Sequence, residues 1–295
     1  MDFIELFGKQ IPIRTHYCKF FDSKPAPLKE QYLNIYVRAK GCNAKCEFCE
    51  YYDDASNFNY EKYLYILKEI KDKILIKKFA FTGGEPTLNY NQFRETIKLT
   101  RKHYPDTTFV LNSNGLNLTK LKDDTETYNE INSISLSRHH YSDEINNKIL
   151  GFKSISKDDI KIIQENSKNK TLINVSCNLI KGYIDSKEEV YKYLEFASTV
   201  GIRYVGLVSL MPINDYCKDN LIDFNSLDLV TNRFSLTKTW SYENVCRCNN
   251  YIYIPENSKV MKVYYKNTYN PDNSNVNLVF DGENLTNGFS GDIII

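Results

Sequence analysis

Strand-like and helix-like segments alternate along most of the chain. Six short apolar segments are predicted as strands, at residues 32–37, 77–82, 108–112, 131–136, 171–177 and 203–208. The intervals have helical periodicity, as at Tyr63, Ile66 and Ile70, which share one face of a predicted helix. Successive strand–helix units predict a parallel sheet. Six units are too few for a closed eight-stranded barrel, so the predicted fold class is α/β, a partial (β/α)6 barrel.

The predicted helices occupy residues 60–72, 90–103, 116–127, 142–166 with a break around Gly151, and 186–197. Outside this alternation the pattern changes. Residues 1–30 are predicted to be an irregular N-terminal lead-in with one short strand at 11–13, and the partial barrel is placed at 31–212. Residues 213–295 are predicted to form a smaller, β-rich C-terminal extension with strands at 251–254, 260–265 and 277–280.

Charge and composition exclude several classes of protein. The chain has 38 basic and 37 acidic residues, a net charge of +1, and so lacks a global field that would attract nucleic acid. No apolar run of membrane-spanning length and no basic-then-apolar leader are present, which predicts no membrane partner and a cytoplasmic location. Eight cysteines are too few for a disulfide scaffold in 295 residues, and their uneven placement indicates metal ligation in a reducing compartment.

Three of these cysteines lie in one loop after the first predicted strand. Cys42, Cys46 and Cys49 are separated by three and then two residues. Such a trio can ligate three irons of a [4Fe–4S] cluster, which normally takes four cysteinates, and one iron would then stay open. Clustered cysteines are also typical of a zinc knuckle. A structural zinc site takes four protein ligands, however, and no histidine or fourth cysteine lies nearby in the sequence.

A second motif, Gly83-Gly84-Glu85-Pro86, follows the second predicted strand. Paired glycines at a strand end let the backbone approach a ligand closely, and the proline stiffens the turn. An ordinary turn and a phosphate-binding loop are the alternatives. The Gly-Lys-Ser/Thr ending of a Walker loop is absent, which argues against phosphate binding.

The cysteine spacing, with Phe48 before the third cysteine, and the Gly-Gly-Glu-Pro motif together resemble the signatures of radical S-adenosylmethionine (SAM) enzymes over roughly residues 32–210. The resemblance implies the same partial barrel and a [4Fe–4S] cluster whose open iron is chelated by the amino and carboxylate groups of SAM. It also implies reductive cleavage of SAM to a 5′-deoxyadenosyl radical, which abstracts hydrogen from a substrate. Residues implied to contact SAM in the two motifs are Phe48, Gly83, Gly84 and Glu85.

Polar residues at other strand ends are expected to line the SAM site, because ligands gather at the carboxyl ends of parallel strands. By the same resemblance, Asn114 and Asn174 would meet the ribose hydroxyls. Ser135 or Arg138 would meet the SAM carboxylate, and the backbone at Met211 would meet the adenine. The alternative is that these polar residues only cap strands or fit turns.

His139 and His140 also follow the fourth predicted strand. Side chains of adjacent residues usually diverge, so one surface or substrate-facing histidine is expected here, rather than a pair of ligands. The isolated Cys18 and Cys177 are predicted to be core residues, although Cys177 lies near a strand end.

Three further cysteines lie beyond the partial barrel. Cys217, Cys246 and Cys248 suggest an auxiliary Fe–S cluster, as in radical SAM enzymes of the molybdopterin-precursor cyclase and peptide-maturing types. Their spacing does not match the cyclase pattern, and the Gly-Gly tail of that enzyme is absent, so the cyclase activity is not inferred. The alternative is three buried thiols that pack as small apolar groups.

The substrate is predicted to be a small molecule or nucleotide in the barrel mouth, and the alternative is a peptide precursor. The short lead-in disfavours a built-in leader-peptide domain. The resemblance implies an electron donor such as flavodoxin or ferredoxin. The alternative from a different functional class is a non-catalytic Fe–S electron carrier or a zinc-binding module.

Overall fold

The computed structural model describes residues 2–13, 33–50, 58–71, 73–166, 171–240, 248–256, 259–267, 277–289 and 291–295. The strands are β1 Asp2–Leu6, β2 Lys9–Ile13, β3 Leu33–Ala39, β4 Ile76–Gly83, β5 Thr108–Ser113, β6 Ser133–Ser137, β7 Leu172–Leu179, β8 Tyr204–Ser209, β9 Phe234–Trp240, β10 Cys248–Tyr253, β11 Met261–Lys266, β12 Asn277–Phe280 and β13 Leu285–Asn287. The helices are α1 Tyr60–Lys71, α2 Tyr90–His103, α3 Leu118–Asp123, α4 Thr125–Glu130, α5 Asp143–Leu150, α6 Lys157–Asn166, α7 Lys187–Thr199 and α8 Asp215–Asp219.

The six predicted strands form the middle of one sheet. In the order β3-β4-β5-β6-β7-β8 they lie side by side, and each neighbouring pair is parallel. The sheet is open, with further strands on both sides, so the predicted partial barrel is confirmed. Because all six strands point the same way, the loops that follow them share one edge of the sheet.

The sheet has one apolar face and one polar face. Alternate side chains of a strand point to opposite faces, and the set that includes Phe79, Ile134 and Val205 is buried in the main core with the helices. The opposite set includes Ser135 and Asn174, which are only partly buried. We call this second side the inner face of the sheet. Its polar character makes it the side available to a polar ligand.

The C-terminal strands extend this sheet at both edges. β12 pairs in parallel with β3 and carries β13 on its other side, and β11 pairs in parallel with β8 and carries β10 and β9. The predicted strands at 251–254, 260–265 and 277–280 are therefore present. Leu278 and Met261 lie in the main core cluster, so both edges share the core of the barrel strands. Pairing satisfies backbone groups that an uncovered edge would expose.

The N-terminal residues form a hairpin where the sequence suggests an irregular lead-in. β1 and β2 pair antiparallel, and the turn residues Phe7 and Gly8 have φ values of 53° and 71°. Two positive φ angles match the twist of a two-residue hairpin. Leu6 and Ile11 are buried in the main core. The rest of the predicted lead-in, residues 14–30, lies outside the described residues.

Helix ends follow local capping. The predicted helix at 116–127 is two helices, because the Asp124 side chain caps α4 by accepting a hydrogen bond from the Thr127 amide. The predicted break at Gly151 is confirmed: this glycine ends α5 in the left-handed conformation at φ 71°. Within the described residues, no helix combines the length and the apolar character that crossing a bilayer requires.

Candidate functional site

The three-cysteine loop follows β3 and is folded by its own backbone. The amide of Cys49 donates to the carbonyl of Cys46 at 3.0 Å, and the amide of Ala44 lies 3.4 Å from the sulfur of Cys42. The amide of Lys45 donates to the carbonyl of Leu150 at the end of α5, at 2.9 Å. The loop is thus anchored to the helix that follows β6.

Cys42 and Cys46 of this loop lie in an environment that disfavours their thiolates. Burial raises the pKa of Cys42, and burial together with the charges of Cys49 and Cys42 raises the pKa of Cys46 to about 12. Thiolates held this close repel one another, so the neutral thiols are favoured. Positively charged irons would favour the thiolates instead. The donor set therefore fits an Fe–S cluster. In the described part of the chain no three His, Cys, Asp or Glu side chains converge on a single metal ion. The irons of a cubane cluster lie at separate corners. Each thiolate therefore binds its own iron, and the three sulfur atoms need not converge on one point.

The Gly-Gly-Glu-Pro loop packs directly on the cysteine loop. The amide of Gly84 donates to the carbonyl of Ala39 at 2.8 Å, and the amide of Glu85 donates to the carbonyl of Gly41 at 2.9 Å. A Cβ on Gly84 would lie 1.9 Å from the Gly41 oxygen, and Gly83 has a φ of +106°. Only glycine fits at these positions, and the two sequence motifs form one structural unit.

The Glu85 carboxylate is buried and joins the ends of β4 and β5. It accepts hydrogen bonds from the Thr87 amide at 3.0 Å and hydroxyl at 2.5 Å, from the Ser113 hydroxyl at 2.9 Å and from the Asn114 amide at 2.7 Å. Burial raises the pKa of Glu85, against the effect of these four hydrogen bonds. Its contact with the SAM amino group stays a prediction, and the structure uses the carboxylate to fix two loops of the site.

Asn114 lies against the cysteine loop. Its side-chain nitrogen donates to Oδ1 of Asn43 at 2.9 Å and lies 3.7 Å from the sulfur of Cys42, while its Oδ1 accepts from the Leu116 amide at 3.0 Å. Asn43 has a buried side-chain nitrogen without a hydrogen-bond partner among the described residues. Asn43 is not among the site residues predicted from the sequence. One asparagine beside a cysteine carries no signal in a single sequence.

Ser135 and Asn174 are neighbours on the inner face. They are directly paired between β6 and β7. Oδ1 of Asn174 is buried and has no hydrogen-bond partner in the part of the chain that the structure describes. A buried acceptor without a donor is rare, because it costs free energy. The pair therefore offers an acceptor to a hydroxyl or amine of a bound ligand.

Arg138 is occupied by its own loop. Its guanidinium donates to the carbonyls of His140, Tyr141 and Ile155 at 2.8, 3.2 and 3.1 Å, and pairs with Asp143 at 2.5 Å. The side chain is 1% exposed. These contacts tie the end of β6 to the start of α5 and to the segment after it. The geometry favours a structural role, and contact with the SAM carboxylate stays a prediction.

The adjacent histidines contact different neighbours. Nδ1 of His139 accepts from the Asn178 amide at 3.0 Å, and its ring meets that of Phe48 edge-on at 5.0 Å. Burial and the charge of the preceding arginine lower the pKa of His139 to about 3. Nδ1 of His140 accepts from the Ser142 amide at 2.9 Å. Both Nδ1 atoms are therefore used in loop structure.

The segment after β8 also packs on the cysteine loop. Met211, at the predicted adenine contact, is 47% exposed. Asn214, which caps α8, donates through its side chain to the carbonyl of Glu47 at 3.0 Å. The buried Cys217 lies with its sulfur 3.6 Å from the carbonyl of Phe48. The structure thus brings Cys217 to the candidate site.

Of the other two cysteines of the predicted auxiliary cluster, only the backbone of Cys248 belongs to the described part of the chain. Cys248 is the first residue of β10, which runs antiparallel to β11 with Asn249 opposite Tyr265. This register puts the backbone of Cys248 at the carboxyl end of β11, the same edge as the cysteine loop. Cys246 lies outside the described residues. The auxiliary cluster therefore stays a prediction.

Comparison with known proteins places these features in a family. The model of the radical SAM superfamily matches residues 36–205. A cysteine-type anaerobic sulfatase-maturating enzyme from Clostridium perfringens is 28% identical over 69% of this chain and 63% of its own length. A probable GTP 3′,8-cyclase from Saccharolobus islandicus is 26% identical over 58% of this chain and 54% of its own length. The chain thus spans less than two thirds of the length of these relatives.

A solved structure supports the fold. Streptococcus suis SuiB bound to precursor peptide SuiA matches 63% of this chain and 41% of its own, with a TM-score of 0.51 and 18% identity. At that identity the likeness bears on the fold alone.

Proposed function

The chain belongs to the radical SAM superfamily, and we propose that it binds a [4Fe–4S] cluster through Cys42, Cys46 and Cys49 and cleaves SAM reductively. When bound, the reduced cluster supplies the electron that breaks the bond between the SAM sulfur and the ribose 5′ carbon, leaving methionine and a 5′-deoxyadenosyl radical that abstracts hydrogen from the substrate. One observation carries this proposal: two backbone hydrogen bonds join the cysteine loop and the Gly-Gly-Glu-Pro loop at the carboxyl edge of the parallel sheet.

The other residues of the site bind and orient SAM. The backbone at Gly83 and Gly84 receives the amino group, and the two glycines hold this backbone against Ala39 and Gly41, where a Cβ would collide. Asn174 accepts from a ribose hydroxyl through its Oδ1, which has no hydrogen-bond partner among the described residues, and Ser135 lies beside it. Phe48 covers the cysteine loop with its ring and helps to exclude water, as its packing with buried apolar residues indicates.

Anaerobic reconstitution tests the proposal. With iron, sulfide, dithionite and SAM, the protein should form 5′-deoxyadenosine, measured by liquid chromatography. Cys42→Ala, Cys46→Ala and Cys49→Ala should each abolish it, because each removes a cluster ligand. Cys177→Ala is the matched control, since it removes a buried thiol of the main core and should retain the product. Deoxyadenosine formation by a Cys46→Ala protein without cluster would refute the proposal.

Metal analysis separates this function from the other classes. A zinc-binding module would retain zinc at these cysteines, and a non-catalytic electron carrier would hold a cluster without forming deoxyadenosine. Iron and sulfide counts on the same sample distinguish one cluster from two. A second cluster that is lost in Cys217→Ala or Cys248→Ala would support auxiliary ligation by Cys217, Cys246 and Cys248.

We propose that the substrate binds on the inner face of the open sheet. A small molecule or nucleotide fits the polar inner-face residues, and one relative is named for its action on GTP. A peptide is the second candidate, favoured by the sulfatase-maturating relative, which aligns with 69% of this chain. Stimulation of deoxyadenosine formation by GTP or by a cysteine-containing peptide would discriminate between them. Replacing dithionite by reduced flavodoxin or ferredoxin would test the proposed electron donor.

A further inference from the structure

Asn114 is a buried residue that reaches the cysteine loop from the end of β5. The residue is 7% exposed, and its backbone amide is held by the Glu85 carboxylate at 2.7 Å. Its side-chain nitrogen lies 2.9 Å from Oδ1 of Asn43 and 3.7 Å from the sulfur of Cys42, within reach of a hydrogen bond to sulfur. An amide nitrogen has two hydrogens. Asn114 can therefore donate one to each of these two acceptors in the cysteine loop.

The orientation of both amide side chains follows from their neighbours. The Leu116 amide can only donate, so the atom of Asn114 that faces it at 3.0 Å is the oxygen. The nitrogen of Asn114 is then the atom that faces Cys42, and the atom of Asn43 that meets this nitrogen is an oxygen. A flipped Asn114 would set its nitrogen against the Leu116 amide and its oxygen against the cysteine sulfur. The contacts thus assign a donor, and not an acceptor, to Cys42.

The same orientation leaves a second donor in the cysteine loop. Nδ2 of Asn43 is buried and has no hydrogen-bond partner within the described ranges. A buried donor without an acceptor costs free energy and is rare. Asn43 directly follows Cys42 in the sequence. A cluster held by this loop would bring sulfide and thiolate acceptors close to that donor, so the amides of Asn43 and Asn114 both fit a sulfur-rich anionic group.

We propose that Asn114 is a positioning residue of the cluster, which donates an N–H···S hydrogen bond to the Cys42 thiolate and thereby raises the reduction potential of the cluster. This inference rests on the proposed function, because it needs a cluster at the three cysteines. Reduction transfers one electron from the external donor and makes the cluster with its thiolates more negative by one charge. A hydrogen-bond donor at a thiolate stabilises the more negative state more strongly, so reduction becomes easier.

The side chain of Asn114 is the part of this environment that the sequence can vary. The Ala44 amide also lies near the sulfur of Cys42, at 3.4 Å, but most residue types at position 44 would supply that backbone donor. The proposed role differs from the ribose contact that the resemblance implies for Asn114. Both hydrogens of its Nδ2 have acceptors in the cysteine loop, and its Oδ1 accepts from the Leu116 amide.

A redox titration of the reconstituted cluster tests the proposal. SAM-free protein would be poised with mediators, and the reduced cluster would be counted by electron paramagnetic resonance. Asn114→Leu keeps a similar size but cannot donate. At the midpoint potential of the wild type, we expect its ratio of reduced to oxidised cluster to be about tenfold lower, which for one electron corresponds to a shift of about 59 mV to lower potential.

A second variant covers a failure of Asn114→Leu to assemble a cluster. Asn114→Asp keeps an acceptor for the Leu116 amide but replaces the donor by a negatively charged oxygen. Its potential should fall at least as far. The potential belongs to the clusters that are present, so incomplete iron uptake does not distort it.

Asn117→Leu is the matched control. Asn117 lies three residues further in the chain and donates through Nδ2 to the Thr87 carbonyl at 2.7 Å, so its loss removes an amide donor that serves a carbonyl oxygen. This variant should have the wild-type potential. The proposal fails if both Asn114 variants have the wild-type potential, or if Asn117→Leu lowers the potential as much as Asn114→Leu.

Two further measurements separate this proposal from its neighbours. If Asn114→Leu bound SAM at least tenfold more weakly at an unchanged potential, the ribose contact would be right and the contact with the Cys42 thiolate wrong. The titration needs no turnover. A wild-type protein whose cluster is reduced but that forms no deoxyadenosine would therefore refute the proposed cleavage of SAM, while the shift in potential would still decide the role of Asn114.

Discussion

Glu85 and Arg138 are both buried charged residues at the carboxyl edge of the sheet, and they hold different loops by opposite means. Glu85 accepts four hydrogen bonds from neutral donors that belong to the ends of β4 and β5, beside the cysteine loop. Arg138 donates to three carbonyls and pairs with Asp143, beyond β6. The loops that Glu85 joins carry the candidate site. The loop that Arg138 holds packs against the site through the ring contact of His139 with Phe48.

The difference lies in charge compensation. Asp143 neutralises Arg138, whereas no cationic side chain in the described part of the chain pairs with Glu85. The negative charge of Glu85 reaches the cysteine loop, where it helps to raise the pKa of Cys42. The compensated charge of Arg138 mainly fixes its loop, and it also lowers the pKa of the adjacent His139. An uncompensated charge also sets the potential at its neighbours, so changes at Glu85 should affect the cluster and changes at Arg138 should affect stability.

The largest effect is expected for Arg138→Leu. The change leaves one buried and two partly buried carbonyls without their donor and Asp143 without its partner. Breaking a fully buried pair costs about 3–5 kcal/mol in the free energy of unfolding, and because Asp143 is 34% exposed we expect a loss at the lower end of that range. Urea unfolding followed by circular dichroism would measure the loss. The iron content of the protein that remains folded should match that of the wild type.

A matched variant separates this role from SAM binding. Arg138→Lys keeps the charge beside Asp143 but loses the guanidinium fork that reaches several acceptors at once, so it should recover only part of the stability. Measured dissociation constants for SAM complete the test. If Arg138→Leu were as stable as the wild type and bound SAM at least tenfold more weakly, the predicted contact with the SAM carboxylate would be right and the structural role wrong.

A smaller effect on stability and a larger one on the cluster are expected for Glu85→Gln. The amide cannot accept at both ends, so its nitrogen faces either the Asn114 amide or the donors of Thr87 and Ser113. An unmet buried donor costs about 1–3 kcal/mol. Iron and sulfide analysis should show incomplete cluster assembly, because the two loops lose their common anchor. Glu95→Gln, on the exposed side of α2, is the control. Full iron content in Glu85→Gln would remove the distinction between the two charged residues.

The strands and both motifs could be predicted because their signals are local. Alternation of apolar residues marks the six parallel strands, and the glycines and cysteines of the motifs have short fixed spacings. The pairing of β12 with β3 and of β11 with β8 could not be predicted, because contacts between distant segments leave no periodicity in either segment. The hairpin at residues 2–13 was missed for a similar reason: its turn contains Phe7 at positive φ, which is uncommon for a residue with a side chain.

Residue roles at strand ends were harder to predict than the fold. In the sequence Asn174 and Arg138 look alike, each a polar residue near the end of a strand. Only the structure shows that Oδ1 of Asn174 has no partner among the described residues, whereas Arg138 bonds to a loop that extends to Ile155. The partner of a side chain depends on the path of a distant backbone segment, and composition and spacing do not contain that information.

His139 gives the Arg138 region a pH dependence of stability, which amounts to about 2 kcal/mol between pH 6.5 and pH 5.0. Burial and the adjacent guanidinium lower the pKa of His139 to about 3, while an unfolded histidine titrates near pH 6.5. Below pH 6.5 the unfolded chain therefore binds a proton that the folded protein does not. The contribution to stability is complete above that pH and falls by about 1.4 kcal/mol per pH unit on acidification toward the folded pKa.

Urea unfolding at pH 7.0, 6.0 and 5.0 measures this slope in a range where most carboxylates stay ionised. His139→Gln should flatten it, because glutamine keeps an acceptor for the Asn178 amide but does not titrate. His103→Gln, on the last turn of α2, should keep most of the slope. An equal slope in wild type and His139→Gln would mean that the ring is protonated in the folded protein. The Arg138 region would then tolerate a second positive charge, which would mean that Asp143 screens the guanidinium from its neighbours, and the contrast with the uncompensated Glu85 would be sharper.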